Sequence, residues 1–175
     1  WVPSEEQCQE IDREFAQFYH RRVCWLALRE FDRAVRDADH TLALMDFATA
    51  HAEDEEWILS HEQYRPFVMF HRVQAAALAG LEEAGPEAAL EMIDEGLVQF
   101  RELYQKYDAE EEIQDDELVG RLEELKESIR AHFNLGPTLV EQLTEAVASE
   151  QYERAAKLRD EIARRNVKQR RAKKN

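Results

Sequence analysis

Histidine and acidic residues at helical spacing are the side chains of this sequence best suited to binding a metal ion. Asp37 precedes His40 by three residues, and His51 precedes Asp54 by three residues. A carboxylate and an imidazole at positions i and i+3 share one face of a helix, as in the metal sites of helical bundles. Such a site also needs inward-facing carboxylates on partner helices, and the remaining acids have a surface pattern. We therefore expect no metal and no other cofactor.

Candidate nucleophiles are equally isolated. Ser60 and His61 are adjacent, and adjacent residues on a helix do not face each other. Cys24 lies beside Trp25 and Leu26, an apolar context that predicts a packed core residue. No glycine-rich phosphate loop, acid–base pair or cofactor fingerprint occurs. The sequence predicts no catalytic residue and a protein that is not an enzyme. A metal-dependent helical-bundle enzyme remains an alternative that a metal assay would test.

Charge is distributed unevenly along the 175 residues, which carry 23 basic and 38 acidic side chains and a net charge of −15. Every charged residue from position 164 onward is basic: Arg164, Arg165, Lys168, Arg170, Arg171, Lys173 and Lys174. Without these seven, 16 basic residues remain against 38 acids, so residues 1–163 carry −22. The acidic part disfavours nucleic-acid binding over the whole surface. The basic tail, 166–175, is expected to be disordered. The seven basic residues from 164 onward are candidates for contact with nucleic-acid phosphate or for pairing with the acidic body or an acidic partner.

Cysteine content and hydropathy bear on the compartment. Cys8 and Cys24 are the only cysteines, too few for a disulfide framework and without zinc-site spacing. On one continuous helix they would lie on the order of 24 Å apart, too far to form a disulfide. No apolar stretch approaches ~18 residues, which is the length of a membrane-spanning helix. We expect reduced thiols, a cytoplasmic location and no membrane partner.

Apolar residues recur at spacings of three and four, which predicts an all-α fold. One stripe consists of Leu90, Ile93, Leu97, Phe100, Tyr104 and Tyr107. Aromatic residues at such spacing are more often core than ligand-binding, and we expect this of Trp25, Trp57, Phe67, Phe70, Phe100 and Tyr104. Alternating strand patterns and Asn-Gly or Asp-Gly turns are absent.

Capping and breaker residues place the helix ends. Ser4 with Gln7, and Thr138 with Glu141, have the form of capping boxes. Gly85-Pro86 marks a helix start, and Pro66 marks either a kink or a helix start near residue 65. The expected helices are 4–28, 31–57, 62–83, 86–107, 117–133, 138–148 and 151–165. The seven acids within 108–117 predict a solvated connection.

Two helix pairs, about 15–48 and 70–103, have similar patterns. Ala34 and Ala89 occupy matching positions in the second helix of each pair, 55 residues apart. The pattern resembles the tetratricopeptide repeat, a 34-residue helix pair in which small residues allow close approach. The spacing exceeds 34 by 21, which predicts an insertion at about 49–69. A plain antiparallel helical bundle is the alternative for this helical body, residues 1–135.

A short helical hairpin is expected at 138–165. One apolar stripe consists of Leu139, Leu143 and Val147, and the other of Tyr152, Ala155, Leu158 and Ile162. Ala155 and Ala156 are small where two helices must come close. A hairpin of this size has too little core to be stable alone. We therefore expect it to pack on the body or on a second hairpin.

The segment from Tyr152 to Asp160 resembles the core of the UVR motif. That motif occurs in the excision-repair subunits UvrB and UvrC and in other bacterial proteins. The resemblance implies a protein-interaction hairpin that pairs with another such hairpin or with a partner surface, and it implies no catalysis. In the repair subunits the motif joins one protein to the other.

These patterns together favour an all-α, cytoplasmic interaction protein that docks a protein partner, a second UVR-type hairpin or its own copy. The expected contacts are Leu143, Val147, Tyr152, Ala155, Leu158, Arg159, Asp160 and Ile162. Arg159 and Asp160 form either a solvated pair or bonds across two hairpins, and we favour the latter. The alternative is an accessory protein of DNA repair or another nucleic-acid process, contacting phosphate through the basic tail.

Overall fold

The computed structural model describes residues 2–172, with side chains described up to residue 165. These residues form α-helices and one 3-10 helix and contain no strand, which confirms the all-α prediction. The α-helices are α1 Glu5–Ala27, α2 Phe31–His51, α3 Glu55–Glu62, α4 Arg65–Glu83, α5 Pro86–Lys106, α6 Glu117–Phe133, α7 Leu139–Ala148 and α8 Tyr152–Ala172. The 3-10 helix is Glu110–Asp115 and lies between α5 and α6.

The predicted capping residues begin their helices. Ser4 Oγ accepts from the Gln7 amide at 3.3 Å, and the Gln7 side chain accepts from the Ser4 amide at 2.9 Å. Thr138 and Glu141 form the same reciprocal pair ahead of α7, at 3.2 and 2.8 Å. Both boxes satisfy amide donors that a helix start would otherwise leave without partners. Gly85 has φ 98°, a conformation that favours glycine, and Pro86 follows as the first residue of α5.

Two connections differ from the sequence prediction. The expected helix 31–57 is wrong, since α2 ends at His51 and α3 begins at Glu55. The cause is Asp54, whose Oδ1 accepts from the amides of Glu56 and Trp57 at 3.0 and 3.1 Å and caps α3. The connection 108–117 is also more ordered than expected, because it contains the 3-10 helix Glu110–Asp115.

The helix α8 extends past the predicted hairpin end at residue 165 and reaches Ala172. The tail predicted to be disordered from residue 166 therefore has a helical backbone through residue 172. Residues 173–175, and the side chains from 166 onward, lie outside the described part of the chain.

The chain divides into two compact units, Trp1–Phe133 and Asn134–Asn175. In the first, which we call the body, α1 packs on α2, α2 on α4, α4 on α5, and α5 on α6. Loops of two or three residues join α1 to α2 and α4 to α5, so each of these pairs is antiparallel. The second unit contains α7 and α8, which pack against each other.

Small residues allow the body helices to approach closely. Ala34 and Ala89, matched in the sequence comparison, are both fully buried. The segment 49–69 that separates the two pairs contains α3, as an inserted segment would. The likeness of the body to tetratricopeptide repeats stays a prediction.

Gly96 of α5 lies against Val73 of α4 with no room for a side chain. A Cβ at position 96 would stand 2.4 Å from both Val73 methyl carbons and 3.0 Å from its Cβ. Because rotating Val73 exchanges one methyl for the other, the two helices would have to separate. We expect Gly96→Ala to lower the free energy of unfolding by about 2 kcal/mol, measured by chemical denaturation.

Gly80→Ala is the matched control for this substitution. A Cβ there meets the Met92 side chain at 2.7 Å, and a flexible thioether can move aside. The gain in helix propensity of up to about 1 kcal/mol should then make Gly80→Ala neutral or stabilising. Equal losses in the two variants would contradict the close packing at Gly96.

A polar network is buried between α1, α2 and α4. Arg22, only 1% exposed, donates from Nε to His71 Nδ1 and from one terminal nitrogen to Thr41 Oγ1, both at 3.2 Å. Burial, with the positive charges of Arg22 and Arg121, lowers the pKa of His71 to about 4. His71 is therefore a neutral acceptor at physiological pH.

The His71 imidazole makes the stability of the body depend on pH. Its pKa in the folded chain lies below the ordinary value of 6.5, so the unfolded chain takes up the proton first as pH falls. We expect the free energy of unfolding to fall by on the order of 1–2 kcal/mol from this group between about pH 7 and pH 5.

His71→Asn isolates this contribution. An asparagine carries a polar atom near the position of Nδ1, so it still accepts from Arg22 but does not titrate. Denaturant titrations at the two pH values should show a smaller loss for the variant than for the native chain. The same loss in both proteins would assign the pH dependence to other groups.

Candidate functional site

The hairpin of α7 and α8 is held by a turn with regular capping geometry. The amide of Gln151 donates to the carbonyl of Ala146 at 2.7 Å, and that of Glu150 donates to the carbonyl of Val147 at 3.0 Å. This pair of bonds is the Schellman arrangement, which reverses the chain after a helix. Glu150 provides the left-handed residue that it requires, with φ 57°. The turn therefore fixes the start of α8 relative to the end of α7.

The inner face of the hairpin is small and apolar. Ala146, Ala155 and Leu158 are buried, at 1%, 8% and 9% exposure, and Leu139 and Leu143 pack against them. The two alanines let the helices approach, and the leucines fill the space between them. Leu143, Ala155 and Leu158, which the sequence predicts as partner contacts, thus lie in the interior of the hairpin itself. Ile162 is half-buried.

The outward face contains the exposed members of the predicted site. Tyr152 is 68% exposed and Val147 is 53% exposed. On α8, Ala156 and Ala163 are exposed as well. Spacings of four, three and four residues place Tyr152, Ala156, Arg159 and Ala163 on one side of α8. We call these four residues the outer stripe.

Arg159 and Asp160 form an ion pair with each other on this surface. The guanidinium Nη2 of Arg159 lies 3.2 Å from Asp160 Oδ1, and the two side chains are 71% and 63% exposed. An ion pair this exposed contributes little to stability, in the range of about 0–1 kcal/mol. Both side chains are therefore free to exchange this contact for a carboxylate or a cation on a second molecule.

Sequence patterning identified the hairpin but did not separate its two faces. Ala155 and Ala156 were expected to act together where the helices meet, and only Ala155 is buried. Ala156 and Ala163 were not among the predicted contacts. Counting from Tyr152 in steps of four and three residues would have found both.

The basic residues at the end of α8 are described only in part. Arg164 donates from Nε to the carbonyl of Asp160 at 3.2 Å, and Arg165 pairs with Glu161 at 3.1 Å. The other candidates for phosphate contact lie where side chains are not described: Lys168, Arg170, Arg171, Lys173 and Lys174.

The metal-ligand candidates of the sequence have other roles in the body. Asp37 accepts from Arg21 and from the indole of Trp25, at 2.9 and 3.0 Å. His40 contacts Glu14 at 2.6 Å, and Asp54 caps α3. Within the described residues, no group of three or more His, Cys, Asp or Glu side chains is arranged to hold a metal ion.

The candidate nucleophiles lie on exposed or partly exposed positions. Ser60 donates to the carbonyl of Trp57 at 2.6 Å, and His61 Nε2 contacts Asp12 at 3.0 Å. The expectation that Ser60 and His61 do not face each other is wrong, because Ser60 Oγ lies 3.1 Å from His61 Nδ1. The prediction that Cys24 is a core residue is wrong. Its thiol is exposed, because the apolar neighbours Trp25 and Leu26 occupy the next positions around α1 and are the ones that pack inward.

Comparison with known protein families bears on the hairpin alone. Residues 137–164 match the family model described as the UvrB/uvrC motif. The chain carries a UVR motif. The matched range begins just before the Thr138 cap and takes in α7, the turn and the first part of α8, including the whole outer stripe. The resemblance inferred from Tyr152–Asp160 is thereby confirmed.

The remaining comparisons give no further relatives. No curated protein and no solved structure gives a significant match to the chain. Across the described residues, every helix is too short or too polar to span a membrane.

Proposed function

We propose that this chain is a non-enzymatic adaptor that binds a protein partner through the outer stripe of its UVR hairpin. The observation that carries the proposal is the exposed Tyr152 on a motif associated with protein interaction. A tyrosine supplies a large contact area at a small cost in conformational entropy, and tyrosines are enriched at the centres of interfaces. The small side chains of Ala156 and Ala163 leave room for a partner helix beside it.

The partner we propose is a second hairpin of the same type, in the first place that of another copy of the chain. Residues 138–165 contain six acidic and five basic side chains and are nearly neutral, whereas the body, residues 1–133, contains 32 acidic and 13 basic side chains and carries −19. Two acidic bodies repel each other, whereas two nearly neutral hairpins can meet without that repulsion. A two-fold pair in which the two α8 helices run parallel would also bring Arg159 of one copy beside Asp160 of the other.

Substitution of Tyr152 tests the proposal. We expect sedimentation of the full chain to show concentration-dependent pairing that Tyr152→Glu weakens at least about tenfold, because a carboxylate replaces the largest apolar side chain of the outer stripe. Tyr107→Glu is the matched control, since Tyr107 is 55% exposed and lies outside the motif. It should leave the pairing unchanged.

A second arm separates self-pairing from pairing with another protein. The purified C-terminal hairpin of a bacterial UvrB is offered to the immobilised full chain. If the native chain captures this hairpin and Tyr152→Glu does not, the adaptor role is supported, and the partner is another protein that carries a UVR hairpin. Absence of both self-pairing and capture, or equal binding by the two tyrosine variants, would overturn the proposal.

A second role is proposed for the basic end of α8, namely contact with nucleic-acid phosphate in repair or a related process. The supporting observation is that α8 continues without interruption from the hairpin to Ala172 and so carries Arg164, Arg165, Lys168, Arg170 and Arg171 on one helix. Binding to duplex DNA should fall steeply with salt and be lost when 164–175 are deleted. DNA binding that does not change with salt concentration, or that persists after the deletion, would contradict this role.

A further inference from the structure

A cavity of about 650 Å³ lies within the body, between α1, α2, α3 and α4. Its walls include the aromatic rings of Phe15, Tyr19 and Phe67, with Met45 and Val68 beside them. At the polar end, Arg22 and Thr41 line the cavity. An apolar pocket of this size with a few polar groups at one end is the usual form of a small-molecule site.

The Arg22 guanidinium is the unusual feature of this cavity. It is 1% exposed, and its hydrogen bonds go from Nε and Nη1 to two neutral acceptors, His71 and Thr41. The second terminal nitrogen, Nη2, has no hydrogen-bond partner among the described residues. A buried charge is costly unless an opposite charge is paired with it.

The nearest carboxylate is committed to other donors. Burial lowers the pKa of Arg22, and the negative charge of Asp37 offsets this only in part, because the two Asp37 oxygens accept from Arg21 and Trp25. At the mouth of the cavity, Asp12 already contacts His61 and the indole of Trp57. Within the described residues, no carboxylate forms an ion pair with Arg22. The network therefore presents a net positive charge to the cavity.

From this geometry we infer that the cavity binds a small aromatic carboxylate, whose carboxyl group pairs with Arg22 and whose ring lies between Phe15, Tyr19 and Phe67. The carboxylate would accept from Nη2 and supply the counter-charge that the protein lacks there. The aromatic walls would cover the ring of the ligand. This site is independent of the hairpin and of the role proposed for it.

The test uses the full chain and two probes of similar shape, naphthalene-2-carboxylate and naphthalene-2-methanol, in calorimetric titrations. We expect the carboxylate to bind at least about tenfold more tightly than the alcohol, with a dissociation constant on the order of 10–100 μM. Arg22→Met should remove this preference, because it keeps an unbranched apolar stem and removes the charged guanidinium.

A second pair of variants keeps the test decisive if Arg22→Met fails to fold. Ala16 is exposed on α1 and lines the cavity, so Ala16→Trp fills the space and should weaken both probes at least about tenfold. Ala27→Trp places the same side chain on the same helix, outside the lining, and should change neither affinity. Equal affinity for acid and alcohol, no binding of either probe at about 5 mM, or no difference between the two tryptophan variants would overturn the inference.

Discussion

Lys126→Met should lower the free energy of unfolding of the body by about 3–5 kcal/mol. Lys126 of α6 and Asp94 of α5 form an ion pair whose residues are 4% and 3% exposed. Methionine keeps the apolar part of the lysine side chain and removes only its charge. Asp94 would then lose the positive charge of Lys126, which offsets part of the cost of its burial. Chemical denaturation followed by helical circular dichroism measures the loss.

The double variant distinguishes loss of charge balance from loss of packing. Asp94→Leu combined with Lys126→Met removes both charges and should recover more than half of the loss. Lys106→Met is the control, since Lys106 is exposed near the end of α5. If the free energy of unfolding of Lys126→Met lies within about 1 kcal/mol of that of the native chain, the buried ion pair does not stabilise the packing of α6 on α5.

Leu158→Glu should unfold the hairpin and leave the body folded. Leu158 is 9% exposed, in contact with Ala146, Ala155 and the leucines of α7. The substitution removes a core side chain and introduces a carboxylate, at a combined cost of several kcal/mol. A unit of this size has little stability to lose. Leu158 is therefore a test of the hairpin fold and does not report directly on partner contact.

Amide hydrogen exchange shows where the effect falls. In Leu158→Glu, peptides from α7 and the first half of α8 should exchange much faster, while peptides from α4 and α5 keep native protection. Tyr152→Glu is the matched control when all chains are measured at a concentration below their pairing range, because the same carboxylate at a position 68% exposed should then leave the exchange unchanged. Native protection of α7 in Leu158→Glu would contradict the inner packing described above.

The sequence was informative where a local signal decides the structure. Ser4 and Thr138 were predicted as helix caps, and each hydrogen bond of their capping boxes involves residues three apart. The break before α3 was missed although its signal is also local. Asp54 followed by two acids and a tryptophan has the pattern of a cap, but it was considered only as a metal ligand.

The burial of individual helix residues was harder to predict. Side chains of adjacent residues point in directions about 100° apart around the helix axis, so an error in assigning the buried face exchanges a buried residue for an exposed neighbour. Cys24 was assigned to the core in place of Trp25 and Leu26. Ala156 was grouped with Ala155 for the same reason. In both cases the residue types allow either position, and the packing of the whole unit decides between them.

The cavity beside Arg22 could not be predicted from the sequence. Its lining comes from α1, α2, α3 and α4, and Arg22 bonds His71 across 49 residues of chain. Phe67 was expected in the core, and it is half-buried at the cavity wall. An arginine in a charged helix is normally read as a surface residue. Only the packing of these helices shows that it is buried.

Disulfide trapping at Ala156 tests most directly whether the outer stripe is the surface that pairs. In full-length chains carrying Cys8→Ser and Cys24→Ser, Ala156→Cys should form a covalent dimer under mild oxidation, because a two-fold pair brings the two positions together. Ala148→Cys, at an exposed alanine of α7, should remain largely monomeric. Equal cross-linking at positions 156 and 148 would contradict the proposal that the outer stripe is the pairing surface. So would the absence of cross-linking at position 156, if the chain also fails to capture the UvrB hairpin.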